Sequence, residues 1–267
     1  MVASLPMYDF PALRPSRSAF WAAIVREMQR EGFGDLPASL DFSARAVPDF
    51  LPPSMLFSQV CGYPLQTLFR GQARMLAAPV YDVAHCNGAT HAGVFIVRRD
   101  SPFKSLAALR QTHLVYNSRH SNSGMNLPRR ALADIAGGKP FFASVRETHG
   151  HPASLALVLA GAADATCIDN VTFANYAICH PERAEALRIL AVTPPSPSLP
   201  FVTSSSTDPL VADALQRALL RVGSAPEYAA VRAGMLLKAV VPIDPPAFPR
   251  LLAYEREAAA LGYPALL

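Results

Sequence analysis

From residue 105 to residue 192 short apolar runs and amphipathic stretches take turns, the pattern that layers of helix packed on sheet require. Residues 106–109 read as a helix and 113–116 as a strand. A polar loop follows, then a helix over 126–135 with Pro128 tolerated in its first turn. Residues 141–145 are extended, 152–159 helical, 165–168 a strand, 171–179 a helix and 187–192 a strand. The block reads as a self-contained α/β lobe, its alternation pointing to a parallel sheet.

The flanking sequence supplies a second lobe. Residues 3–8 read as a strand, and Ser16 or Ser18 caps a helix that carries Phe20, Trp21, Ile24, Val25 and Met28 on one face and ends at Gly32 and Gly34. A short helix with Leu65, Leu68 and Phe69 follows Pro64, and residues 75–80 and 93–97 are strand-like. Residues 193–200, TPPSPSLP, are the most proline-rich stretch and suit a connection between lobes. Beyond them come a strand at 201–203, a helix at 209–222, a strand at 236–241 and a helix at 248–261. The simplest assembly returns the C-terminal segment to the first lobe. Lobe one is then 1–95 plus 200–267 and lobe two 100–192, with hinge crossings at 94–104 and 190–200.

Composition narrows the function classes. Half of the 267 residues are apolar and 16% are charged, which fits a packed chain and excludes extensive disorder. No segment reaches the roughly 18 consecutive apolar residues that span a bilayer, so a soluble protein is expected. The N-terminus, MVASLPMYDFPALRPSR, has no basic stretch followed by an apolar one, so no secretory signal is visible. The 24 basic residues form no dense run; Arg98 with Arg99 and Arg129 with Arg130 read as solvated element ends, and no nucleic-acid partner is expected. Cys61, Cys86, Cys167 and Cys179 make no CxxC pair and no zinc spacing, so they read as buried thiols. No cofactor and no metal site is expected; His149 and His151 form a pair without a third ligand at diagnostic spacing.

Four segments carry candidate chemistry. In Asn117–Arg130, NSRHSNSGMNLPRR, a strand gives way to a small polar loop and then a helix. Such a loop aims backbone N–H groups and the Ser121 and Ser123 hydroxyls at a helix N-terminus, where an anion is favoured; an ordinary N-cap loop uses the same residues. In THGHPASLAL, His151 stands just before Pro152 at the start of a helix whose first turn carries Ser154. In GAADATCIDN, Asp164 opens a strand as a turn residue and Asp169 closes it, at the edge where α/β sheets receive ligands. In FSQVCGYPL, Gln59, Cys61 and Tyr63 surround a bend, and Gln59, Tyr63 and Tyr8 are either cleft-lining groups or buried turn residues.

The order of these motifs resembles the phosphate/phosphite/phosphonate-type solute-binding proteins of ABC transporters. The resemblance rests on SNSG followed by MNLPR, the G-H-x-x-S turn at 150–154, ADATCID, LRILAVTPPSPSLPFVTS, FSQVCGYPL and GVFIVRRDSPFKSLAALR, and covers residues 50–205. It implies a two-lobed α/β type II periplasmic-binding-protein fold with a ligand cleft between the lobes and closure about the hinge. It implies no catalytic residues, a small anionic solute, an ABC permease as partner, a monomer or weak dimer, and a periplasmic setting, with a cytoplasmic one left open by the N-terminus. By the same resemblance Ser121, Asn122 and Ser123 hold the oxyanion and His151 reaches the same group. Asp169 then lies where an acid meets a ligand's amino end, and His91 falls near an aromatic ligand contact. The proline-rich segment offers Ser198, Leu199 and Pro200 where aminophosphonate binders carry a second acid, so an amino-bearing ligand is disfavoured. Two other classes remain open: a hydrolase with Ser123, His151 and Asp169 as triad, although no G-x-S-x-G elbow surrounds Ser123, and a thiamine-pyrimidine or sulfonate binder of the same fold.

Overall fold

The computed structural model describes residues 1–46 and 48–267. The chain divides into two compact units, residues 1–90 with 197–247 and residues 91–196 with 248–267, so it crosses between them three times. The first crossing falls at residues 90 and 91, earlier than the expected 94–104; the second, at 196 and 197, lies within the proline-rich segment.

The first unit is built on a five-stranded sheet in the order Val2–Ala3, Met55–Gln59, Phe201–Ser204, Ala73–Tyr81, Leu237–Pro242. Val2–Ala3 pairs in parallel and the other neighbours are antiparallel, because the segment returning from the second unit inserts Phe201–Ser204 between two earlier strands. The parallel sheet expected from simple alternation is therefore not formed here. Helices Arg14–Arg30 and Pro209–Ser224 cover the sheet. Trp21 stacks on Phe57 at 5.1 Å, Phe57 on Phe201 at 5.6 Å, and Phe20 meets Phe201 at 5.5 Å. All four rings are almost completely buried, and full burial of such a side chain is worth roughly 1.5–3 kcal/mol. The first helix starts at Arg14, after a 3-10 turn at Pro11–Leu13, so Ser16 and Ser18 lie inside it and do not cap it. The first strand ends at Ala3; Tyr8 sits beyond it in a turn with φ of 61°, a left-handed conformation uncommon for a side chain of this size.

In the second unit the strand order is Ser144–Glu147, His113–Tyr116, Ala165–Asp169, Gly93–Arg98, Leu187–Val192. His113–Tyr116 runs parallel to both its neighbours, whereas Gly93–Arg98 is antiparallel to both of its own. The core gathers Phe95, Leu109, Leu114, Leu132, Phe141 and Phe142 with Tyr263 and Leu266 from the chain end. Here the sequence expectation is corrected: helix Pro249–Ala260 and the tail belong to the second unit, not the first. Hydrogen bonds fix them there. Asn126 Nδ2 donates to the Leu251 carbonyl at 3.0 Å, Arg129 to the Pro264 carbonyl at 2.8 Å, and the Phe141 amide to the Leu267 carbonyl at 2.8 Å. Arg129, expected at a solvated end, is consequently buried. No helix among the described residues is long and apolar enough to cross a membrane.

Candidate functional site

Strand His113–Tyr116 delivers the chain to the polar loop, and Ser121 opens the helical segment behind it. Its backbone is extended and its Oγ accepts the Gly124 N–H at 3.0 Å, which is N-cap geometry. The next turn, Asn122–Asn126, is a wide π-turn, with the Asn126 N–H donating to the Ser121 carbonyl at 3.1 Å, and Leu127–Ala136 continues as an α-helix. A π-turn of this kind is rare and recurs at functional sites. Gly124 is required: a Cβ there would stand 1.9 Å from Asn117 Oδ1. That amide oxygen is itself buried without a hydrogen-bond partner. The Asn122 and Ser123 amides lie in the first turn, ahead of any intrahelical acceptor, and the helix dipole makes that end attractive to negative charge.

The loop side chains divide in role. Asn122 is 1% exposed; its Nδ2 donates to Ser196 Oγ at 2.7 Å and its Oδ1 accepts from Asn126 Nδ2 at 3.1 Å. Asn126 Oδ1 in turn accepts from Arg129 at 2.7 Å. The Asn122 side chain thus braces the loop, and its backbone amide lies in the first turn beside that of Ser123. Ser123 behaves differently, its Oγ lying 3.5 Å from His151 Nε2. Behind it, the Ser123 carbonyl backs onto Gly93, where a Cβ would stand 3.0 Å from that oxygen.

His151 is the first residue of helix His151–Leu159, entered from an extended Gly150 with no side-chain cap. The Thr148 and Ser154 hydroxyls hydrogen-bond at 2.6 Å and lock the approach to this helix, which occupies Ser154. Burial, together with repulsion from His91, pulls the His151 imidazole down to about 4 against an opposing pull from Asp169, so it is uncharged at neutral pH. Its Nδ1 is buried and has no hydrogen-bond partner. His149, with φ of 64° and a largely exposed ring 3.8 Å from Glu147, points elsewhere, so the two imidazoles share no ligand position.

Asp169 ends strand Ala165–Asp169 and caps helix Asn170–Cys179. Its Oδ1 accepts the Val171 and Thr172 amides at 2.8 and 3.1 Å, and its Oδ2 lies 2.5 Å from His91 Nδ1. Burial raises its carboxyl pKa, but His91, His151 and the Thr172 amide outweigh that and hold it below the usual carboxylate range. One main-chain and one side-chain hydrogen bond register the pair: the Asn170 amide donates to the Ala92 carbonyl at 3.0 Å and the Ala92 amide to Asn170 Oδ1 at 3.1 Å. His91 is 1% exposed; its Nε2 has no hydrogen-bond partner, and its Nδ1 meets Asp169 Oδ2 as a close polar contact whose angle falls short of a regular hydrogen bond. These two residues, expected as an acid for an amino group and an aromatic ligand contact, stand together as a buried pair. The hydrolase triad is likewise not assembled, since its acid is committed to His91 and the helix amides while His151 Nδ1 stays unbonded.

In the first unit, Gln59 is fully buried; its Nε2 donates to Tyr81 Oη at 2.8 Å and to the Leu199 carbonyl at 2.9 Å. The carbonyl, an acceptor only, fixes which end is nitrogen, and Gln59 Oε1 remains buried without a hydrogen-bond partner. Tyr8 meets the Tyr81 ring edge-on at 5.8 Å, so Tyr81 joins Tyr8 to Gln59. Tyr63 is buried in the short helix Gly62–Gln66. Sequence reasoning missed Tyr81, Asn117, Asn126 and Ser196. Only Tyr81 carried a local signal, a polar-tipped ring at the end of an apolar strand.

A family model described as ABC transporter, phosphonate, periplasmic substrate-binding protein matches residues 64–248. The chain belongs to that family. As a phosphonate-family periplasmic-binding protein it has a two-lobed α/β fold of type II architecture and a solute-binding role in ABC transport of a small anionic ligand. Solved structures share this fold at low identity. XAC2383 from Xanthomonas citri bound to ATP is 18% identical, with 97% of this chain and 98% of that one covered at a TM-score of 0.64. The binding protein component of an ABC phosphonate transporter from Pseudomonas aeruginosa is 14% identical, covering 98% and 88% at 0.70. PhnD1 from Prochlorococcus marinus in complex with methylphosphonate is 17% identical, covering 90% and 83% at 0.61. No curated protein matches the sequence.

Proposed function

We propose that this protein captures a small tetrahedral oxyanion, a phosphonate, phosphite or phosphate ester, on the Ser121–Ser123 loop of the second unit and passes it to an ABC permease in the periplasm. The observation that carries the reading is the loop itself. Two serine hydroxyls and the Asn122 and Ser123 amides converge at a helix start, with His151 Nε2 3.5 Å from Ser123 Oγ. Oxyanion recognition at such a place uses amide and hydroxyl dipoles and needs no lysine or arginine. A neutral His151 fits this scheme as a hydrogen-bond partner that orients the Ser123 hydroxyl toward the ligand. Relatives of the same fold were solved with methylphosphonate, ATP and chloride, all of them anions, which supports an anion as the ligand class.

Binding without transformation is favoured over hydrolysis because Asp169 does not orient His151, the bond on which a triad depends. A thermal-shift series with phosphate, phosphite, methylphosphonate, ATP, sulfonates and thiamine-pyrimidine compounds tests the proposal. A ligand at about a hundred times its dissociation constant adds roughly 2.7 kcal/mol, worth several degrees. Stabilisation by a phosphorus oxyanion supports the reading, and its restriction to sulfonates or pyrimidines would overturn it.

A further inference from the structure

We infer that the Asn122 side chain is a positioning link between the oxyanion loop and the proline-rich crossing segment: through its bond to Ser196, occupancy of the loop amides and order at residues 193–198 are coupled. The inference rests on the oxyanion reading of the Ser121–Ser123 loop and concerns how that site acts on the chain beyond it.

The crossing segment has few hydrogen-bonding groups of its own. Pro194, Pro195 and Pro197 carry no N–H, so between Thr193 and Ser198 only Ser196 retains one on the main chain. Other parts of the fold hold the segment instead. The Thr193 amide donates to the Gly93 carbonyl and the Gly93 amide to Thr193 Oγ1, both at 2.9 Å, and the Ser198 amide donates to the Ala89 carbonyl at 2.9 Å. Between these anchors two side chains reach in: Tyr254 Oη donates to the Pro195 carbonyl at 2.8 Å and Asn122 Nδ2 to Ser196 Oγ at 2.7 Å. Prolines fix φ, so a shift at Ser196, the last residue of the second unit before the crossing, is passed along the segment and not absorbed by it.

The bond to Ser196 has a forced direction. Asn126 Nδ2 donates to the Leu251 carbonyl at 3.0 Å, and a carbonyl only accepts, so Asn126 Oδ1 is the atom that meets Arg129. The same Nδ2 donates to Asn122 Oδ1 at 3.1 Å, which turns Asn122 Nδ2 toward Ser196. Asn122, Asn126 and Ser196 are each no more than 1% exposed, and leaving any of these groups unpaired is costly. Asn122 therefore joins two tasks within one residue: its backbone amide lies in the first turn of the loop, and its side chain holds the crossing segment. An anion that fixes the amide fixes the donor to Ser196. By reciprocity, the bond to Ser196 prepares the amide for the anion.

The test is hydrogen exchange at single amides of the full chain, with and without saturating methylphosphonate, alongside titration calorimetry with the same ligand. Methylphosphonate is expected to slow exchange at Ser198 by roughly fivefold or more beyond its effect on strand His113–Tyr116, which controls for overall stabilisation. Ser196→Ala removes the link and no group of the loop. It should still bind methylphosphonate, roughly fivefold or more weakly, and lose the extra protection at Ser198. Tyr254→Phe removes the other side-chain bond to the segment; it should speed exchange there in both states yet keep the ligand-dependent gain. A merely structural Ser196 would change exchange equally with and without ligand. No extra protection in the wild type, or the same gain in Ser196→Ala as in the wild type, overturns the inference and leaves the oxyanion reading intact. Should Ser196→Ala fail to fold, Ser196→Cys, nearly isosteric with a poorer acceptor, takes its place, and an undiminished gain in that variant overturns the inference. If calorimetry shows that the wild type binds neither methylphosphonate, phosphite nor phosphate, the oxyanion reading itself fails and this inference falls with it.

Discussion

Ser123 Oγ and His151 Nε2 stand 3.5 Å apart, one at the first turn of each of two helices that start beside the same strand ends. The Ser123→Ala variant is expected to weaken oxyanion binding by about 1–3 kcal/mol, roughly tenfold to a hundredfold, since a charge-assisted hydrogen bond is lost. Titration calorimetry checks it, and unchanged affinity would remove Ser123 from the site.

Ser121 combines a capping role with its place on the loop. Ser121→Ala should cost about 1 kcal/mol of stability through the lost cap on Gly124, measured by urea denaturation, and weaken ligand binding as well. Asn122→Ala should act differently. It breaks the bonds to Ser196 and Asn126 and destabilises the fold by about 1–3 kcal/mol, while its backbone amide stays available to ligand.

Stability should fall as the solution is acidified from pH 6.5. The folded His151 titrates at about 4, mainly because it is buried, against 6.5 for its ordinary value. Between those values the unfolded chain binds a proton the folded chain does not, so stability decreases with falling pH, by up to about 3 kcal/mol at about 1.4 kcal/mol per unit. Asp169 adds to the trend lower down. Its carboxyl is held below the ordinary range, so its contribution is present above that range and disappears as pH drops through the lowered folded value. Urea denaturation at pH 7, 5.5 and 4.5 measures the slope. Replacing His151 by Gln should flatten it, and an equally steep variant would locate the effect elsewhere.

Gly124→Ala should unfold the loop, because the added methyl carbon would overlap Asn117 Oδ1 at 1.9 Å. A loss of about 1–3 kcal/mol is expected, and shortening the facing side chain in Gly124→Ala/Asn117→Gly should recover part of it. Equal melting temperatures for Gly124→Ala and wild type would show that the loop has room to move.

The C-terminal tail invites a direct measurement. Tyr263 is buried in the second unit's core, so Tyr263→Ala should cost about 3–5 kcal/mol, the range for deleting a large aromatic ring. Hydrogen exchange should then report lost protection in the strands and helices of residues 91–196, with residues 1–90 unaffected.

Local pattern alone determined much of this protein. Between residues 105 and 192 the alternation placed most strands and helices within a few residues, missing the short helix Pro181–Glu185, because helix and strand periods follow from side chains that are near neighbours in sequence. The S-N-S-G run announced a helix start with polar groups around it, and an aspartate directly before a helix is a readable cap. What the tertiary structure decided depends on partners far apart in the chain. Tyr263 and Leu266 fill the second core, not the first, because they meet Phe141 and Leu132 only in three dimensions. Phe201–Ser204 enters the first sheet antiparallel, which no alternation count reveals. Asn122 is bonded to Ser196, 74 positions away, and Asp169 is paired with His91 on a neighbouring segment. A buried polar group must be satisfied by whatever the fold brings to it, so residue type and spacing could nominate these side chains while only the packed structure settled which were spent on each other.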